Sequence, residues 1–85
     1  MKTMTPAQIA KARYDEAHQI LDAWTHRLAR AQAVSYNAAR NGGDALAAKR
    51  KLNATEIERE DAKALARIAR QQWVSEADKE IRKAA

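Results

Sequence analysis

Cysteine is missing from all 85 residues, which excludes disulfides and thiolate metal sites and leaves packing as the source of stability. Phenylalanine is missing too, and the aromatic residues reduce to Tyr14, Trp24, Tyr36 and Trp73. The hydrophobic share of 46% is therefore largely alanine, and it overstates the core the chain is able to build. No apolar run comes near the ~20 residues that span a bilayer, and Met1-Lys2-Thr3-Met4-Thr5-Pro6 lacks the apolar stretch of a signal peptide. The expectation is a soluble, cytoplasmic protein with no membrane partner. One proline and two glycines leave few places to turn and no glycine-rich loop to cradle phosphate.

Both glycines fall together in Asn41-Gly42-Gly43-Asp44, near the middle of the chain. Glycine ends a helix in the left-handed conformation without steric cost, and an aspartate just beyond caps the next helix. The sequence thus predicts one all-α domain over residues 1–85, an antiparallel hairpin with helices over about 6–41 and 44–83 and a turn at 42–43. Thr5-Pro6-Ala7-Gln8 opens the first helix as a capping box with proline at the first helical position. Ala10, Tyr14, Ala17, Leu21, Trp24, Leu28, Ala31, Ser35 and Ala38 then alternate in steps of four and three, the spacing of a coiled-coil seam. Ile9, Ile20 and Val34 widen the stripe on one flank.

The second half carries two apolar faces. One holds Ala48, Leu52, Ala62, Ala66, Ala69, Trp73 and Ala77, and the other holds Leu46, Ile57, Leu65 and Ile68. Thr55-Glu56-Ile57-Glu58 is a second capping-box match, so a break near Asn53 giving a three-helix bundle is the alternative to one continuous helix. A turn centred between the glycines sets Leu28 against Ile57, Ile20 against Leu65, Ala17 against Ile68 and Ala12 against Trp73. One partner helix covers one face only. Leu46, Ile57, Leu65 and Ile68 are therefore the expected self-association face of a homodimer, two hairpins forming a four-helix bundle.

Charge divides unevenly. The segments before residue 25 and after residue 55 are each neutral, while Arg27, Arg30, Arg40, Lys49, Arg50 and Lys51 face Asp44 alone between them, so the formal +5 of the chain resides at the hairpin tip. A concentrated basic end attracts phosphate or carboxylate surfaces, which makes these six residues the expected docking site for nucleic acid or an acidic protein. Only Tyr36 interleaves with them as an aromatic, which counts against base stacking.

Chemistry is not expected. His18, Asp22 and His26 stand at successive i, i+4 steps, but a single ion bridges one helical turn and not two. No serine or cysteine nucleophile accompanies a histidine in a recognisable motif. The reading is a non-enzymatic interaction protein with no cofactor, no metal and no small-molecule substrate. Small hairpins that dimerise into four-helix bundles include RNA-binding plasmid regulators, which this pattern resembles in architecture alone, so no residue role carries over. An adaptor or inhibitor of a host protein, of phage or plasmid type and acting through an apolar face, and a structural subunit are the alternatives.

Overall fold

The computed structural model describes residues 3–84. Two helices, α1 (Pro6–Asn41) and α2 (Ala45–Ala84), fold back on each other as a hairpin of 65 × 23 × 13 Å. Its radius of gyration, 19.0 Å, exceeds the ~12 Å expected of a compact chain of this length. The molecule is one helix thick.

Each end of α1 forms as its residues dictate. The Gln8 amide donates to Thr5 Oγ1 at 3.2 Å and the Thr5 amide donates to Gln8 Oε1 at 3.0 Å, closing the capping box. Gly42 adopts φ 73°, ψ 20°, and the amides of Gly42 and Gly43 both donate to the Ala38 carbonyl. Asp44 Oδ1 then accepts from the Ala47 amide at 3.0 Å and caps α2. Of the two glycines only Gly42 has a positive φ.

The nine seam positions expected in α1 all turn inward. Ala10 and Ala31 are buried, and Tyr14, Ala17, Leu21, Trp24, Leu28, Ser35 and Ala38 are half-buried. Their counterpart on α2 is the alanine and tryptophan face: Ala62, Ala66 and Ala69 are buried, and Ala48, Leu52, Trp73 and Ala77 are half-buried. Small side chains on both helices allow close approach, toward the short end of the roughly 8–10 Å of packed helices. No large side chain is fully enclosed.

The continuous second helix is as expected, its alternative falls, and the cross-hairpin pairings are corrected. The helix runs unbroken through Asn53, so the three-helix alternative falls. Thr55 Oγ1 donates to the Lys51 carbonyl at 2.8 Å instead of capping a new helix, and Thr55 is buried in the seam. The cross-hairpin pairings also fail, because Ile57, Leu65 and Ile68 are 62%, 63% and 51% exposed and cannot rest on Leu28, Ile20 and Ala17. Trp73 meets Tyr14 rather than Ala12, ring centroids 5.5 Å apart and nearly parallel at 16°. Gly43 follows Gly42 into the turn, and the register shifts by about two residues. A seam counted from apolar residues alone missed the polar members of α2.

Those polar members are satisfied across or along the hairpin. Arg59 Nε donates to Thr25 Oγ1 at 3.2 Å. Glu80 Oε1 accepts from the Ala7 amide at 3.4 Å and sets a carboxylate against the positive end of α1, whose own first turn has no acid.

Two predictions follow from the seam and the turn. Leu28→Ala lowers stability by about 1–2 kcal/mol, below the 2–5 of a fully buried leucine, while Gln19→Ala on the exposed face changes it little; equal shifts in a thermal melt contradict the assigned seam. A Cβ at Gly42 meets nothing within 4 Å, so Gly42→Ala loses only the left-handed backbone preference, about 1–2 kcal/mol. At Gly43 the added Cβ sits at 3.4 Å from Ala38 Cα without positive φ, and Gly43→Ala is close to neutral in the same melt.

Candidate interaction surfaces

The basic segment wraps the tip rather than forming one patch. Lys49, Arg50 and Lys51 are consecutive on α2 and so point about 100° apart. On α1, Arg27 and Arg30 border one side, and Arg40 turns toward another with Tyr36. All six cations are exposed. The ion pairs among the described residues, His18 with Asp22, Arg59 with Glu60, Lys79 with Glu76 and Arg82 with Asp78, all lie outside this cluster. Among the described residues no ion pair neutralises a cation of the tip.

Two of the cations are steadied by aromatic rings. Arg27 lies over Trp24, its guanidinium carbon 4.6 Å from the ring centroid, and Arg40 lies over Tyr36 at 5.6 Å while donating to the tyrosine hydroxyl at 3.1 Å. Aromatic contact with the basic set is thus wider than the sequence indicated, since Trp24 sits one turn before Arg27. Three of the six expected docking residues share one cleft. Arg27, Arg30 and Lys51 line a cleft of about 330 Å³ together with Trp24, Ala31, Val34, Ala48 and Thr55. Arg40, Lys49 and Arg50 do not border it.

The second surface is apolar and wet. Leu46 is 61% exposed, and with Ile57, Leu65 and Ile68 it leaves the expected self-association face uncovered within one chain. Ile9, Ile20 and Val34 of α1 are exposed as well. Ile9 lines a groove with Gln72, and Gln72 lies two turns beyond Leu65 on α2, so Ile9 and Leu65 open on the same side, whereas Leu46 and Ile57 stand about 200° from the seam residues Ala48 and Thr55 and face away from α1. Ile9, Ile20 and Val34 thus form an exposed apolar row along α1 on the side where α2 presents Leu65.

Surface area states the imbalance. The accessible area is 6883 Å² for 9.5 kDa, whereas a compact monomer of that mass exposes about 5,000 Å². The excess of more than ~1,500 Å² exceeds the ~800 Å² that each partner buries in a standard interface.

His18 Nδ1 lies 3.4 Å from Asp22 Oδ2 and forms a T-shaped contact with Tyr14, which occupies this histidine structurally. Among the described residues no three His, Cys, Asp or Glu side chains gather where an ion would sit, and no helix is long and apolar enough to cross a membrane. No protein-family model, curated protein or solved structure matches the chain.

Proposed function

We propose that the protein is a non-catalytic interaction module that works as a homodimer of hairpins and docks its basic tips on the phosphate backbone of a nucleic acid. The observation that carries this reading is the tip itself: six exposed cations, one acid and no internal ion pair among them. Cations on several sides of a narrow end suit a partner that flanks it with charge, as a groove between phosphate strands does, better than a single acidic patch. Tyr36, 60% exposed beside Arg40, adds a ring near the phosphate contacts.

Homodimerisation is supported by the uncovered Leu46, Ile57, Leu65 and Ile68 and by the excess area. At about 25 cal/mol per Å² the burial of one such side is worth several kcal/mol before the costs of association. Pairing two one-layer hairpins yields a four-helix bundle.

Replacing Arg30, Arg40, Lys49 and Arg50 together with glutamine keeps the helical circular-dichroism spectrum and weakens binding to a short DNA or RNA duplex. The slope of log K against log salt falls by about 0.9 for each phosphate contact removed. Wild-type binding that is flat in salt contradicts the nucleic-acid reading. Capture of a partner from host lysate that survives nuclease treatment favours the adaptor or inhibitor role instead.

A further inference from the structure

The exposed flank of α1 contains a second seam that the hairpin does not use. Ile9, Glu16, Ile20, Ala23, Arg27 and Val34 recur in steps of seven, four, three, four and seven, and all six are exposed. They lie about a quarter turn from the residues packed on α2. The row is also self-complementary. Reflected about the midpoint between Leu21 and Asp22, Ile9 meets Val34, Glu16 meets Arg27 and Ile20 meets Ala23. An antiparallel twofold pair of α1 helices thus places apolar on apolar and acid on base at each of these levels.

We infer that this side of the hairpin is covered by a second copy of the chain, running antiparallel, with the twofold axis passing between Leu21 and Asp22 on α1 and beside Leu65 on α2. The inference deepens the pairing of hairpins proposed above, rests on that part of the reading, and is independent of what the tip binds. The observed register supplies the α2 half. Tyr14 stacks on Trp73 and the Ala7 amide reaches Glu80, so the α1 midpoint falls level with Leu65 and Ala66. Leu65 therefore meets the partner's Leu65 at the axis, where its 63% exposure ends.

The two grooves on this side stand at nearly equal distances from that axis. The groove of Ile9, Arg13, Gln72 and Glu76 lies toward the termini, and the cleft of Trp24, Val34 and Lys51 lies toward the tip. Antiparallel pairing brings the partner's Ile9 over the cleft beside Val34, and brings the partner's Glu76 to the level of Thr55, one turn from Lys51. Arg27 and Glu16 form no ion pair with another of the described residues. Arg13 and Arg30 form the one like-charge level of the row, and Arg13 shares its groove with Glu76. A parallel pair sets two tips of +5 side by side, whereas the antiparallel pair holds them at opposite ends, many screening lengths apart.

Two charge reversals test the register. Glu16→Arg sets arginine against the partner's Arg27 twice per dimer, and Arg27→Glu sets glutamate against the partner's Glu16 twice. Each variant alone is expected to raise the dimer dissociation constant about tenfold or more, read by sedimentation equilibrium with helicity checked by circular dichroism. Mixing the two variants restores tight pairing, because every 16 to 27 contact in the mixed dimer joins opposite charges. Leu65→Cys is expected to cross-link between chains with a short bis-maleimide, and it supplies a second readout that leaves the charged row intact. A monomeric wild type overturns both this inference and the dimer itself. Dimers that persist in the single variants, fail to recover on mixing, or do not cross-link at position 65 overturn the antiparallel register while leaving dimerisation standing.

Discussion

The packing of alanine against alanine between α1 and α2 is the constraint on which the rest of the molecule depends. Buried positions at Ala10, Ala31, Ala62, Ala66 and Ala69 let the helices approach closely, but each contributes little apolar area. The bulk that such a seam is too narrow to hold is displaced outward. Ile9, Ile20, Val34, Leu46, Ile57, Leu65 and Ile68 are exposed in consequence, and a hairpin one layer thick presents more surface than a compact chain of its mass. Under the proposed pairing stability and association are coupled, because contacts absent within one chain become available between two.

Much of the fold was legible because local signals agreed with one another. The capping box at Thr5 and Gln8, the left-handed Gly42 and the aspartate cap at Asp44 each depend on a few neighbouring residues, and each formed as its residue types require. The α1 seam was legible because a single apolar stripe leaves one choice of inward face. On α2 two apolar faces competed, and residue size pointed the wrong way: the face with Ile57, Leu65 and Ile68 stays outside while alanines go in. Thr55 misled in the same manner, since a capping pattern in mid-helix is satisfied equally well by a hydroxyl that donates to the carbonyl one turn back. The contact between Trp24 and Arg27 lies in an i, i+3 spacing that was open to inspection but hidden by treating the tryptophan as core.

Segregation of charge and apolar surface gives the molecule two separate capacities. The halves near the termini are neutral and carry the side that suits another hairpin, and the tip carries the entire net charge. The antiparallel pairing proposed above would keep these from interfering, with a basic end at each extremity of a bundle roughly one hairpin long. Arg27 belongs to the interface in this arrangement, which leaves Arg30, Arg40, Lys49 and Arg50 to meet an anionic partner. A module with two like ends is suited to contacting two sites, or two parts of one polymer.

The central claim concerns how two hairpins lie on each other, and a distance between tips measures it most directly. A spin label attached through Ala45→Cys, at an exposed position beside the turn and outside the apolar face, reports that separation by pulsed dipolar spectroscopy in the homodimer. The antiparallel dimer predicts a single distance of about 60 Å, twice the rise along α2 from position 45 to the axis at Leu65. A distance below about 25 Å, as parallel tips produce at helix-packing separations, or an echo decay with no intermolecular component, contradicts the account.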